Sequence, residues 1–315
     1  MTKRPLVSIV TPFYNEEGSI LGFHQAMTKA LANLSDFDFE FICVNDGSQD
    51  KTLDELVQRV QEDTRYVVLE LSRNFGKEAA MSAGIDHAKG DCIIPIDADL
   101  QDPPQLIGKM LAEWQNGAEV VLAKRIDRST DSFAKRTSAL MFYRLHNAVS
   151  NLKIPENVGD FRLMDRIVVD ALKQLPERQR FMKGLFAWLG FKTVTVEYVR
   201  EARAVGNSKF SGWKLWNFAI EGVTSFSLAP LKVWTYIGAL GSLFALCYAL
   251  FITIRTIIFG IDVPGYASLL VVMLFFGSLQ LMSLGVVGEY IGRIYFESKQ
   301  RPLYIIRKSY TADKS

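Results

Sequence analysis

The residues best suited to chemistry lie in the run Ile93-Ile94-Pro95-Ile96-Asp97-Ala98-Asp99-Leu100-Gln101-Asp102. An apolar stretch leads into two carboxylates two positions apart, as expected where a buried parallel strand reaches its C-terminal edge. Open α/β sheets bind their ligands at that edge. Neighbouring carboxylates repel unless a cation or a proton intervenes. A hard divalent ion, Mg2+ or Mn2+, held by one or two carboxylates and by diphosphate oxygens, meets that need. The amide oxygen of Gln101 can add one more oxygen ligand. The competing reading is a solvated acidic turn in which Asp102 caps a helix starting at Pro103-Pro104. An Asp-x-Asp triplet alone does not choose between them.

Two further segments weigh on the choice. Val10-Thr11-Pro12-Phe13-Tyr14-Asn15-Glu16-Glu17 ends one apolar run and Val44-Asn45-Asp46-Gly47-Ser48 ends another. Asp46, followed by the flexible Gly47, can accept hydrogen bonds from a base or a ribose. Each segment alone also reads as ordinary turn chemistry, but three acidic strand ends on one edge favour a site. The glycine patterns of dinucleotide-binding folds and of P-loops are both absent. The edge therefore suits a nucleotide whose diphosphate is neutralised by metal and not by a glycine-rich turn.

A basic cluster follows. Lys124 and Arg125 end a run, and Arg128, Lys135, Arg136 and Arg144 come after it, with Phe133, Met141, Phe142 and Tyr143 interleaved. Such a helix suits anionic lipid headgroups, or the phosphate of a lipid-linked acceptor, which arginine grips bidentately. Arg203 and Lys209 flank the flexible segment Ala204–Ser208, a phosphate-contacting loop or a linker.

These groups need elements to hold them. Short apolar runs at Leu6–Phe13, Phe39–Asn45, Tyr66–Leu71, Cys92–Ile96 and Glu119–Ala123 alternate with amphipathic stretches at Glu17–Leu34, Lys51–Glu62, Glu78–Ala88 and Pro104–Asn116. That is the βαβ signature of an open, mainly parallel sheet, with capping residues such as Ser48 and Asp50 ahead of one helix. The N-terminus reads as a first strand and not as a signal peptide. The 315 residues are 49% hydrophobic, with a mean hydropathy of +0.11, and the excess falls after Pro230. Val233–Ile254 and Tyr266–Val287 contain no Asp, Glu, Lys or Arg, and each is long enough to cross a hydrocarbon core about 30 Å thick. Lys232 precedes the first, and Arg293, Lys299, Arg301, Arg307, Lys308 and Lys314 follow the second. The positive-inside bias then puts both termini and the N-terminal domain in the cytoplasm. Gly212–Leu228, with Trp213, Trp216, Phe218 and Phe226, reads as an interfacial amphipathic helix. A net charge of +2 argues neither for nor against nucleic acid as partner, and the anchor argues against it. Three scattered cysteines exclude a disulfide framework and fit a reducing cytosol. Gly277, Gly285, Gly288 and Gly292 permit close helix contacts, within one chain or between copies.

With these residues set out, the chain resembles the family 2 glycosyltransferases of the GT-A fold. The branch is that of the polyprenyl-phosphate glycosyltransferases, which includes the dolichyl-phosphate mannose synthases, and within it the chain most resembles the bactoprenol glucosyltransferases of bacterial O-antigen modification. The stretches that carry the likeness are VNDGS, RNFGKE, IPIDADLQDP, LAKRIDRSTD, NVGDFRLM, Trp213–Trp216 and GVVGEYIGRIY, from about Ser8 to about Ile306. The resemblance implies a Rossmann-like GT-A domain over residues 1–210, an interfacial helix over 211–229, two transmembrane helices over 230–292 and a basic cytoplasmic tail over 293–315. It places Pro12, Tyr14, Glu16, Asp46, Asp97 and Ala98 around the nucleotide, with Asp99 and Gln101 on Mg2+ or Mn2+. Lys124, Arg125, Arg136, Arg203 and Lys209 would meet phosphate, Arg125 and Arg136 that of the acceptor. Asp160 would stand where a catalytic base is often proposed. An acceptor phosphate monoester, with a second pKa about 6, is already largely anionic at neutral pH, so Asp160 can instead position the acceptor or the metal.

The implied reaction is inverting transfer of a hexose, glucose from UDP-glucose, to undecaprenyl phosphate on the cytoplasmic face of a bacterial inner membrane. Galactose, N-acetylglucosamine, mannose and aminoarabinose are the alternative sugars. A processive polysaccharide synthase fits less well, because two spans make a poor polymer channel and no Gln-x-x-Arg-Trp motif is present. A non-catalytic nucleotide-sugar-binding membrane scaffold would be favoured by a broken acidic motif, and here Asp97, Asp99 and Gln101 are all in place.

Overall fold

The structure, a computed structural model, describes residues 4–126, 158–175, 177, 182–198, 229–260 and 265–312. The five expected strands are present as β1 (Leu6–Phe13), β2 (Asp38–Asn45), β3 (Tyr66–Leu71), β4 (Cys92–Pro95) and β5 (Val120–Arg125). Helices α1 (Ile20–Leu31), α2 (Thr52–Glu62), α3 (Lys77–His87) and α4 (Leu106–Gln115) lie between them. The elements beyond these are β6 (Val158–Asp165), α5 (Arg166–Lys173), α6 (Met182–Trp188), β7 (Thr193–Tyr198), α7 (Ala229–Phe259), α8 (Tyr266–Ser298) and β8 (Ile306–Thr311).

One sheet of eight strands runs β7-β5-β6-β4-β1-β2-β3-β8. The pairings β1–β2, β2–β3, β1–β4 and β5–β7 are parallel, while β6 and β8 are antiparallel to their neighbours. Side chains alternate across a strand, and this splits the core in two. Val7, Ile9 and Phe13 of β1 pack with α1, α2 and α4 on one face. Val10 of β1, with Ile42, Val44 and Ile93, packs with α3, α5 and α6 on the other. The chain steps from β1 outward to β2 and β3, then α3 carries it back over the opposite face to β4 beside β1. The crevice between β1 and β4 is thus the topological switch point, where such sheets hold ligands.

Helix α3 lies hard against the sheet. A Cβ at Gly84 would fall 2.3 Å from Cγ1 of Val10 and 3.2 Å from Cγ2 of Val44. Only glycine lets the helix come so near.

The C-terminal segment differs from the expected basic tail. Helix α8 runs to Ser298, and Ile306–Thr311 then joins the sheet edge antiparallel to β3. Tyr310 donates its hydroxyl to Glu70 at 2.9 Å, Arg307 lies 3.3 Å from the same carboxylate, and Tyr304 donates to Asp86 at 2.8 Å. An exposed edge strand reading Ile-Arg-Lys-Ser-Tyr-Thr has little apolar alternation, which is why composition alone suggested a tail.

Among the described residues, Val233–Phe259 is the one stretch that qualifies by length and composition as a membrane span, and it is not buried against the rest of the chain. Helix α8 begins with the uncharged stretch Tyr266–Val287 and exposes Leu269, Met273, Phe275 and Leu281. The two helices approach each other at Gly241, where a Cβ would lie 3.5 Å from the Phe276 ring. The expected interfacial helix at 212–228 lies outside the described residues.

Gly84→Ala is expected to lower stability by roughly 1–3 kcal/mol through overpacking, and Val10→Ala should recover part of that loss. Thermal unfolding in detergent of both single variants and the double variant checks this; strictly additive losses would contradict the close contact.

Candidate active site

Register explains why the acidic groups meet. Strands β4 and β6 pair antiparallel, Cys92 with Asp165 and Ile93 with Met164. Strand β4 ends at Pro95 and Asp97 follows it, on the side of the sheet where β6 begins with Val158, Gly159 and Asp160. Because β6 runs against its neighbours, its first residues lie at the edge where the parallel strands end. Asp160 therefore reaches the site from the start of a strand, and Asp97 from the end of one.

The side chain between them is Lys77, the first residue of α3. Its Nζ lies 2.8 and 2.9 Å from the two carboxylate oxygens of Asp97 and 2.7 Å from Oδ2 of Asp160. Burial opposes the charge on Lys77, but Asp160 and then Asp97 outweigh it, and the pKa is raised above the ordinary lysine value. The ammonium is charged throughout the physiological range. From behind, the buried guanidinium of Arg162 donates to the carbonyl of Gly159 at 2.8 Å and to that of Asp160 at 3.4 Å, over the Phe186 ring at 3.9 Å. Burial pulls its pKa down to about 10, against Asp160 and Glu78, so it too stays charged at neutral pH.

Asp46 anchors Lys77 at one remove. Its carboxylate accepts the backbone amides of Phe75 at 2.7 Å and Gly76 at 3.0 Å. Burial raises its pKa, while those amides and Arg73 pull the other way. Gly47, at φ +67°, lies so close to the same loop that a Cβ would come within 2.5 Å of the Arg73 and Asn74 backbone. The loop from Arg73 to Gly76 is thus clamped to the end of β2, and Lys77 follows directly.

On the other side, Leu100 adopts φ +54° between Asp99 and Gln101, a sparsely populated conformation for a side chain with a Cβ and a frequent mark of functional turns. Asp99 accepts the amide of Gln101 at 3.2 Å. Asp97, Asp99 and Gln101 are half-buried and Ala98 is buried. Among the described residues no three His, Cys, Asp or Glu side chains form a metal cage. A carboxylate and an amide oxygen fit a hard cation whose other ligands are substrate oxygens and water. Asp102 is not the cap of α4; that position is Gln105, and buried Asp102 accepts the hydroxyl of Tyr198 from the end of β7.

Pro12 is half-buried on β1, and Tyr14, 43% exposed, follows it at the crevice. The Glu16 carboxylate accepts the Ser19 hydroxyl at 2.7 Å. Lys124 and Arg125 end β5, with Lys124 paired to Val158 and its ammonium 3.8 Å from Glu197. Arg136, Arg203 and Lys209 lie outside the described residues, as do Arg128, Lys135 and Arg144. The structure thus brings together Asp97, Asp160 and the turn of Asp99 and Gln101, with Tyr14, Asp46 and Arg125 on adjoining strand ends. Sequence reasoning missed Lys77 and Arg162. A lysine after a strand-end Asn-Phe-Gly, on an edge crowded with acids, was the available signal for the first; nothing in the sequence marked the second.

Fold and site together define an α/β protein whose charged residues gather at the carboxyl ends of its strands, the edge where such sheets bind ligands. The chain belongs to glycosyl transferase family 2, whose family model matches residues 8–173, and it is a glycosyltransferase. The GtrB C-terminal hairpin model matches residues 229–294, which cover α7 and most of α8. The chain is 53% identical over 300 residues to an uncharacterized glycosyltransferase, sll0501, of Synechocystis, covering 95% of this chain and 94% of that one. It is 52% identical over 304 residues to the SfII prophage-derived bactoprenol glucosyl transferase of Shigella flexneri, covering 96% and 98%. Among solved structures it is similar to the mannosyltransferase PcManGT of Pyrobaculum calidifontis, at 15% identity and a TM-score of 0.45, over 96% of this chain and 86% of that one.

Asp46→Ala is expected to destabilise the protein by about 1–3 kcal/mol, because it strands the Phe75 and Gly76 amides. Asp46→Asn, which keeps one acceptor oxygen, should cost less. Denaturation midpoints of the three proteins check the order; an Ala variant as stable as the parent would show that the carboxylate does not hold the loop.

Proposed function

We propose that this glycosyltransferase moves a hexose, glucose from UDP-glucose, onto a polyprenyl phosphate at the cytoplasmic face of a bacterial membrane. The observation that carries the reading is the 52% identity, over nearly the whole length, to bactoprenol glucosyl transferases. A bactoprenol acceptor calls for an enzyme working at a lipid surface. What supports two spans is the return of the chain to the sheet at β8: if α7 crosses the membrane, a second crossing must bring the chain back, and α8 begins with an uncharged stretch long enough to make it.

The chemistry follows from the edge. Pro12, Tyr14, Glu16, Asp46, Asp97 and Ala98 line the nucleotide side. Asp99 and Gln101 would hold Mg2+ or Mn2+, which supplies Lewis-acid stabilisation to the departing diphosphate. An oxygen of the acceptor phosphate forms the new bond to the anomeric carbon as the bond to the UDP oxygen breaks. The electron pair leaves with UDP, and attack opposite the leaving group inverts an α-linked donor. The acceptor phosphate is anionic at neutral pH, so no proton need be removed, and Asp160 acts by position. Arg125, with Arg136, Arg203 and Lys209, serves the phosphates. Anchoring in the plane of the acceptor raises its effective concentration.

Purified protein with Mg2+, undecaprenyl phosphate and UDP-glucose should give a hexosyl-phosphoryl lipid, identified by mass, that exceeds the product from competing nucleotide sugars. EDTA should abolish it and Asp99→Ala should lower it by about a hundredfold. Product resistant to EDTA would contradict the role of the metal, a different preferred sugar would correct the donor, and no lipid product from any donor would overturn the reaction.

A further inference from the structure

We propose that Lys77 is a positioning residue of the transfer reaction, holding the Asp160 carboxylate in place through an ammonium shared with Asp97. The proposal rests on the reaction proposed above and adds to it a residue with a role of its own.

Three observations converge on it. First, the contacts are short and divided between two strands: 2.8 and 2.9 Å to Asp97 on the β4 side, 2.7 Å to Asp160 at the start of β6. Neither carboxylate is a sequence neighbour of the lysine. Second, the lysine is itself fixed. Asp46 holds the amides of Phe75 and Gly76, Gly76 turns into the helix at φ +96°, and α3 is seated on Val10 through Gly84. An ion pair in which a flexible lysine had to be ordered for the purpose would be weak; here the backbone around the lysine is ordered already. Third, the carboxylate of Asp160 is half of a two-sided hold. Arg162 grips the backbone carbonyls of Gly159 and Asp160 from the core, and Lys77 contacts the carboxylate itself from the open side, where Asp160 is 15% exposed and Lys77 44% exposed.

The consequence is a link between the two halves of the site. Asp97 stands on the nucleotide side and Asp160 on the acceptor side, and one ammonium spans them. Loss of the ammonium leaves facing carboxylates that repel, and Asp160 turns away from its working direction. A misplacement of about 1 Å costs on the order of a hundredfold in turnover.

The test is a double-mutant cycle on lipid-product formation with the purified full chain, Mg2+, UDP-glucose and undecaprenyl phosphate. It compares the parent, Lys77→Met, Asp160→Asn, the double variant and Lys77→Arg, with UDP affinity measured by calorimetry for each. The expected result is a kcat about a hundredfold lower in Lys77→Met with UDP affinity nearly unchanged, no further loss when Lys77→Met is added to Asp160→Asn, and partial recovery in Lys77→Arg. UDP affinity falling in step with kcat would overturn the proposal and make Lys77 a donor ligand. Losses that multiply in the double variant, or full activity in Lys77→Met, would also overturn it. If Lys77→Met does not fold, Lys77→Arg decides: activity above that of Asp160→Asn supports the ammonium hold, and inactivity with a parental melting temperature overturns it. A parent enzyme that forms no lipid product rejects the proposed function itself, and this role with it, a pattern distinct from all the others.

Discussion

The antiparallel pairing of β4 with β6 brings two carboxylates to one edge, where both meet a single lysine, and much of the site is a response to that. Strand β4 pairs with β6 at Cys92–Asp165 and Ile93–Met164, which brings the segment after β4, with Asp97, to the end where β6 begins, with Asp160. Carboxylates brought to one point repel unless a cation intervenes. Lys77 offsets the repulsion directly. Its place depends in turn on Asp46, on Gly47 and on the close seat of α3 at Gly84. One electrostatic constraint at the edge is thus connected to glycines and backbone amides on β2, the β3–α3 loop and the far face of the sheet.

The same edge explains how a glycosyltransferase manages without a glycine-rich phosphate loop. Anion binding by backbone amides needs a helix N-terminus or a nest aimed at the phosphate. Here the amides at the start of α3 face the Asp46 carboxylate of the protein itself. On the proposed reading, cationic side chains serve the diphosphate, together with a cation at the turn of Asp99, Leu100 and Gln101. The positive φ of Leu100 is strain at the point where such a turn would be expected to carry it.

Legibility from sequence followed physical strength of signal. Strands β1 to β5 are short apolar runs largely buried in the sheet, and their ends were readable to within a residue or two because polar or charged residues begin where the apolar run stops. Strand β6 was harder: Val158-Gly159-Asp160-Phe161-Arg162 mixes a glycine and two charges into a buried strand, and its antiparallel direction is a property of topology that no local pattern carries. Strand β8 is an exposed edge with charged residues, so its signal resembles that of a soluble tail. Asp160 was named by resemblance and Asp99 by pattern, but the meeting of Asp160 and Asp97 at Lys77 depends on residues far apart in the chain. Lys77 and Arg162 belong to the same category. The return of the chain to the sheet at β8 was likewise invisible locally, yet it ties the end of the helical hairpin to the same sheet that carries the site.

The most direct test of the central claim, that this edge gathers carboxylates to bind a nucleotide diphosphate through a divalent cation, is a calorimetric titration of UDP into the purified protein with Mn2+ and with EDTA. The account predicts saturable one-to-one binding in Mn2+ that is lost in EDTA and in Asp99→Asn. Equal affinity with and without the metal, or an unchanged affinity in Asp99→Asn, would contradict it.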